Sequence, residues 1–227
     1  MKHSNIKLEQ YSPPGIKSQG RFIAQDPLEM RILDVLGALA LLLFFGPLMV
    51  LIALTVIVTD PGPAIFKQKR IGRNGKLFNC YKFRTMAIDA EARLEQVLAS
   101  DPRARAEWAQ DQKLRNDPRI VGIGSFLRKS SLDELPQLWN VLKGDMSMVG
   151  PRPIVPNEAA RYGKYLAFYC SVKPGITGLW QINGRNNVSY RRRVAFDVIY
   201  ARKSKVGDNI KILALTVPSV LASRGSY

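Results

Sequence analysis

Apolar residues crowd one stretch of this chain and alternate with charge almost everywhere else. From Ile32 to Thr59 the only charged side chain is Asp34, and Val35 to Thr59 is a charge-free run of 25 residues. That length suits a membrane helix. Gly46-Pro47 interrupts the run at its middle, where proline removes one backbone hydrogen bond and crowds the preceding turn. Each half is only ~20 Å long, too short for a ~30 Å hydrocarbon core. A kinked span or a helix that enters one leaflet and returns are the two readings. A buried core helix is the third and weakest.

Residues 1 to 28 hold turn formers and scattered charge without periodicity, the pattern of a flexible tail. They lack the features of a secretory signal. After the apolar run, "AIFKQKRIGRNGKLFNCYKFRTM" predicts two strands joined by a Gly-Arg-Asn-Gly hairpin turn. Residues 87 to 115 read as charged helix, with Asp101-Pro102 as N-cap and first helical position. In "SSLDELPQLWN", Ser131 and Glu134 have capping-box spacing and Leu132, Leu135 and Leu138 start an apolar stripe, so a helix is expected from about Leu132 to Leu142, ended by Gly144. There follow a loop ("GDMSMVGPRPIVP"), a helix over 157 to 171, a Pro/Gly-punctuated stretch, a helix from about Tyr190 to Lys203, and the apolar "IKILALTVPSVLA". That last segment, within 207 to 227, suits the membrane interface or the closing of the core about equally. The fold class is α/β, mostly helical, with a catalytic body over 61 to 206 and the apolar helix over 29 to 60.

Charge narrows the partners. Lys and Arg total 34 against 18 Asp and Glu, a net +16, which favours nucleic acid, anionic lipid or phosphorylated substrates. No nucleic-acid-binding signature is present, so nucleic acid is not expected. Basic residues flank both ends of the apolar run, Lys2, Lys7, Lys17, Arg21 and Arg31 before it and Lys67, Lys69, Arg70, Arg73 and Lys76 after it. Both ends therefore favour the cytoplasmic side, which supports the re-entrant reading.

Scarce residues exclude chemistry. His3 is the only histidine, and Cys80 and Cys170 are the only cysteines. A histidine triad, a structural zinc site and a disulfide framework are therefore not expected. Carboxylates, Lys, Arg or Tyr must do any proton or nucleophile work. Asp133, in a first helical turn, should stay ionised and able to bind Mg²⁺ or attack an electrophile. An ordinary helix-start acid is the plainer reading of Asp133 and Glu134 taken alone. Arg84, Arg128, Arg152 and Arg185, several in Gly/Pro loops, change that balance, because guanidinium groups beside a rigid acid suit phosphate. No GxxxxGK[ST] or GxGxxG loop occurs. Trp139, Trp180 and Tyr169 are expected mainly in the core.

The ordered blocks "KFRTM", "SLDELPQLWN", "GDMSMVGPRP" and "KPGITGLWQINGRN" resemble the bacterial sugar transferase family, the monotopic polyprenyl-phosphate phosphoglycosyl transferases. The resemblance runs over about residues 30 to 227, and the short form is similar to members that initiate exopolysaccharide repeats. It implies that Asp133 attacks the sugar-bearing phosphate of a UDP-sugar, releasing UMP and leaving an aspartyl phosphosugar that undecaprenyl phosphate then resolves. It further implies Mg²⁺ at Asp133, with Glu134 as its partner. Phosphate contacts map to Arg128 and to Arg152 between Pro151 and Pro153, and uridine nucleotide contacts to Arg185 with Asn183 and Gly184. A re-entrant helix broken at Gly46 and Pro47, anionic inner-membrane lipids and a cytoplasmic catalytic face are also implied. Galactose and glucose are both compatible with the residues, and no feature assigns an oligomeric state. A direct glycosyl transferase leaving UDP and a non-enzymatic basic membrane adaptor are the competing readings.

Overall fold

The computed structural model describes residues 27–111, 114, 117–184 and 188–221. The tail expected over 1 to 28, Arg185 and the last six residues therefore lie wholly or largely outside the described residues. Helix α1, Leu28–Thr59, is followed by an antiparallel hairpin of β1, Ile65–Ile71, and β2, Leu77–Phe83. The expected turn sits between them. Asn74 and Gly75 both take positive φ (57° and 73°), which Asn and Gly tolerate better than other residues. Helices α2, Ala90–Ser100, and α3, Pro102–Asp111, fill the charged region. Asp101 separates them and accepts from the amides of Arg103 and Arg105, with its side chain and its carbonyl respectively. The N-cap read from Asp101-Pro102 is thus present.

Next come α4, Gly124–Ser130, and α5, Gln137–Lys143, then β3, Ser147–Val149. Helices α6, Ala159–Tyr162, and α7, Leu166–Ser171, lead to β4, Gly175–Thr177, which pairs with β3 in parallel. Gly163, at φ +50°, divides the helix expected over 157 to 171. Helices α8, Leu179–Ile182, α9, Tyr190–Lys203, and α10, Val206–Leu221, complete the chain. The segment expected as loop around "GDMSMVGP" thus holds a strand. Three residues are too few for alternation to announce it.

The helix expected over Leu132 to Leu142 is the main local correction. Ser131 adopts a left-handed conformation (φ 59°) and makes no side-chain cap. Leu132–Glu134 form a 3₁₀ turn, and α5 begins only after Pro136. Proline lacks an amide proton, so a helix entering there starts afresh rather than running through. The Glu134 carboxylate is thereby freed from any capping box.

Helix α1 stays a single helix across Gly46-Pro47, so the expected break does not divide it. Proline costs one hydrogen bond there and the helix survives it, as kinked helices do. Its fully buried positions lie towards the two ends: Asp34 and Ala38 near the start, Ile52 and Val56 near the finish. At the start, Arg31 donates to the carbonyls of Val141 and Leu142, both at 2.7 Å, where a cation suits the end of α5. Asp34 accepts from Ser147 Oγ (2.8 Å) and the Met148 amide (2.7 Å). At the finish, Ile52 and Val56 pack with Phe83 and Leu127. Between these anchors Leu43 and Phe44 are 82% and 77% exposed. Among the described residues α1 is the one helix long and apolar enough to cross a membrane.

A central core joins Ala38, Phe78, Leu138, Val141, Met146, Met148 and Ile212, so α1, the hairpin, α5, β3 and α10 share one interior. Helix α10 buries Asn209 and Ile212 while Ile210, Leu215 and Val217 face outward. Tyr200 ties α9 to this layer by donating to the Val149 carbonyl (2.8 Å).

Two expected outcomes follow from this packing. Replacing Asp34 with Ala strands the Ser147 hydroxyl and the Met148 amide in the interior. Thermal unfolding of the purified protein should show a loss of about 2–4 kcal/mol, with Asp34→Asn losing less because it keeps an acceptor. The second concerns Asp197, which is buried and accepts from the Tyr162 hydroxyl (2.7 Å). Burial pushes its carboxyl up to about 7, partly offset by that hydrogen bond and by Arg193. A carboxyl raised on folding binds its proton more tightly in the folded state, so its contribution is full below about 4 and fades as pH rises through about 7. Asp197→Asn should therefore gain on the unaltered protein by about 4 kcal/mol between pH 4 and pH 8 in denaturant titrations.

Candidate active site

Pairing in the hairpin decides where charge goes. Arg70 lies opposite Phe78, and Gln68 opposite Cys80. Residues paired directly across a sheet share a face, and every second residue along a strand returns to it. Arg70, Phe78, Cys80 and Lys82 thus share the face that covers the interior, with Phe78 and Cys80 buried. Charged groups on such a face require partners. Lys82 Nζ finds Glu134 Oε1 at 2.6 Å and Asp133 Oδ2 at 3.7 Å. Arg70 donates to the Pro153 carbonyl (3.0 Å) and to Gln68 (2.6 Å).

The opposite wall is the loop after β3. Gly150 has no room for a side chain: a Cβ would stand 2.5 Å from the Lys173 carbonyl oxygen. The Gly150 amide donates to Thr177 and the Gly175 amide to Pro151, both at 2.8 Å, so β4 grips the loop at two points. Pro151 is fully buried beneath it. The loop projects Arg152, whose Nη1 lies 3.4 Å from Glu134 Oε1. Arg70, Cys80, Lys82, Glu134, Gln137, Arg152 and Pro153 together line a small cleft.

The two acids differ sharply. Burial alone would raise Glu134, but Lys82 and Arg152 bring it down to about 2. Burial raises Asp133, and the adjacent negative charge of Glu134 adds to that, against the opposing pull of Lys82, Arg152 and Arg128. The first-turn helix environment expected to hold Asp133 ionised is absent, because the 3₁₀ turn leads into α5 only after Pro136. Glu134 meets two cations at Oε1. Among the described residues Asp133 accepts no hydrogen bond, and its nearest cation stands at 3.7 Å.

Arg128 stands on the Asp133 side, its Nε donating to Thr85 Oγ1 at 2.9 Å. Arg84 is elsewhere: its guanidinium bonds the carbonyl and faces the carboxylate of Asp60 just past the end of α1. It closes the end of α1 beside Asp60 and does not line the cleft. Asn183 donates to the Leu179 carbonyl (2.7 Å), and Gly184 turns at φ +114°. The turn adjoins Trp180, over which Arg193 lies at 4.6 Å, and Arg193 feels the charge of Arg152. That sets the turn on the Arg152 side of the cleft. Of the aromatics expected in the core, Trp180 and Tyr169 are buried, whereas Trp139 is 56% exposed.

Sequence reasoning missed Lys82, Arg70 and Gln137. The signal for the first two was present. A hairpin read in register puts both cations on the same face as Phe78 and Cys80, an apolar face that asks for carboxylates. Gln137 gave no such signal, because its burial depends on where α5 starts.

The chain is 51% identical over 197 residues to an undecaprenyl-phosphate galactose phosphotransferase of Salmonella typhimurium, covering 87% of this chain and 41% of that protein. It is 48% identical to a UDP-galactose-lipid carrier transferase of Erwinia amylovora, with the same two shares, 87% and 41%. It is also 48% identical to the exopolysaccharide production protein ExoY of Rhizobium meliloti, over 87% of both chains. The chain thus spans about two fifths of the first two relatives and nearly all of the third. Residues 26–223 match the bacterial sugar transferase family from the start of the membrane helix to the last turns of α10, and the chain belongs to that family.

Proposed function

We propose that the protein moves a hexose-1-phosphate from a UDP-sugar to undecaprenyl phosphate, releasing UMP, as a first membrane step of exopolysaccharide synthesis. The observation that carries this reading is the unequal acid pair. Glu134 is locked between Lys82 and Arg152, while Asp133 keeps a carboxylate without a hydrogen bond beside the same cations. Asp133 is the nucleophile. Its oxygen attacks the sugar-bearing phosphorus, the bond from that phosphorus to the bridging oxygen breaks, and UMP departs with that oxygen. An oxygen of undecaprenyl phosphate then displaces Asp133 and restores the carboxylate.

Lys82, Arg128 and Arg152 hold the charge that spreads over the transferring phosphoryl group. Pro151 and Pro153 stiffen the loop that presents Arg152. Asn183, Gly184 and Arg185 bind the nucleotide beside Trp180. No group of three or more potential metal ligands occurs among the described residues. Mg²⁺ is commonly held by one or two carboxylates with substrate oxygens and water, and Asp133 is the carboxylate that would be open to it. When bound, Mg²⁺ neutralises diphosphate charge. Galactose is the first donor to test, because two of the relatives carry galactose in their names.

The membrane reading is a re-entrant one. Both ends of α1 grip the same catalytic body, through Arg31 and Asp34 at the start and Ile52 and Val56 at the finish. A span would carry one end away from that body. The exposed middle around Leu43, Phe44, Gly46 and Pro47 enters the cytoplasmic leaflet, and the +16 charge meets anionic lipid there.

Purified protein with Mg²⁺, UDP-galactose or UDP-glucose and undecaprenyl phosphate should release UMP and form a lipid diphosphate sugar. Asp133→Asn should reduce turnover by about 10³-fold or more while membrane association persists. Release of UDP, or normal turnover in that variant, would remove the assignment. For topology, single cysteines in place of Ser4 and Lys76 should both be shielded from a reagent applied outside the cytoplasmic membrane. Labelling of one alone would mean a spanning helix.

A further inference from the structure

Gln137 is the buried polar group in the cleft that the chemistry above leaves without a task. It is 2% exposed and lines the cleft with Arg70, Lys82, Glu134 and Arg152. Among the described residues its amide makes no side-chain hydrogen bond. Its amide atoms are not sealed in the interior but open onto the cleft, where a ligand can meet them.

Local geometry says what it faces. Through this segment successive bonds skip three residues: Glu134 to Ser131, Leu135 to Leu132, Leu138 to Leu135, and Trp139 to Pro136. In a 3₁₀ path, side chains three apart eclipse. Gln137 lines the same cleft as Glu134, the neighbour of Asp133. Lys82 and Arg152 both meet Glu134 at Oε1, and among the described residues Gln137 makes no hydrogen bond to that carboxylate.

We infer that the Gln137 amide donates a hydrogen bond to an oxygen of the sugar-bearing phosphate, the group that Asp133 receives. The assignment rests on the proposed function and deepens it. The lining favours a phosphoryl oxygen over a sugar hydroxyl: three cations and one carboxylate surround the amide, and no aromatic face lines the cleft. A neutral donor suits the position for a further reason. A fourth cation would pair with Glu134 and compete with Lys82 and Arg152, whereas an amide adds a hydrogen bond and leaves the charge balance intact.

The two nucleotides UDP and UMP isolate this contact, because UDP carries the second phosphate and UMP does not. Gln137→Met keeps side-chain length and removes both amide groups. Titration calorimetry with Mg²⁺ should show UMP affinity unchanged and UDP affinity reduced about 10-fold, with kcat for UMP release from the UDP-sugar falling at least as far. Unchanged UDP affinity overturns the contact. Equal losses for UMP and UDP also overturn it, since they mean that Gln137 supports the fold of the site. If the unaltered protein binds neither nucleotide, the functional reading falls and takes this assignment with it. Binding with an unaltered UDP-to-UMP ratio in the variant removes Gln137 alone.

Discussion

Lys82 sits on the inward face of a two-stranded sheet, in line with Phe78 and Cys80, and its ammonium requires an anion at that spot. Glu134 supplies it at 2.6 Å, with Asp133 at 3.7 Å. That ion pair fixes the turn bearing the acids against the hairpin, and other packing follows from it. Asn140, one helical turn beyond Gln137, is fully buried and holds β2 from both sides of its amide, accepting from the Tyr81 amide (3.0 Å) and donating to the Asn79 carbonyl (2.7 Å). The helix and the strand are thus joined at two points, one charged and one neutral. Removing either partner of a buried pair leaves the other uncompensated, so Lys82 and Glu134 depend on each other.

The same logic extends to the membrane helix. Asp34 is buried, and its partners are the hydroxyl of Ser147 and the amide of Met148, the first residues of β3. Two residues past the end of that strand's Gly150 anchor, the chain presents Arg152 to Glu134. A helix serving only as a tether would have no use for a buried carboxylate, which costs energy to desolvate. Here the apolar helix is part of the wall that positions the Arg152 loop, and the cleft and the helix are built as one body.

Much of this was legible in the sequence, and the failures share a cause. The apolar helix, the Gly-Arg-Asn-Gly turn, the Asp101 cap and the helix from Tyr190 to Lys203 follow from local rules about periodicity and turn chemistry. The acids Asp133 and Glu134 were found, but their setting was misread: Ser131 and Glu134 have capping-box spacing, and only Pro136 hinted that the helix starts later. Arg84 was grouped with the phosphate contacts because it lies in "KFRTM", yet the cation of that block which reaches the acids is Lys82. Strand alternation separates them only once the register is known. Short strands such as Ser147–Val149 exist through pairing with residues far along the chain, which no local window contains.

The inequality of the two acids is the deepest consequence of the arrangement. Neighbouring carboxylates cannot both be stabilised equally by one lysine, so the cations must choose. Lys82 lies closer to Glu134, and Arg152 is also aimed there, which drives Glu134 to about 2 and leaves burial to raise Asp133. One acid becomes a fixed counter-ion that holds two cations in position, and the other keeps its oxygens available beside those cations. A nucleophile bonded as tightly as Glu134 would have to break those contacts before attacking. The difference is set by distances of about one ångström between otherwise similar groups, and it gives adjacent Asp and Glu on a single turn unlike electrostatic settings.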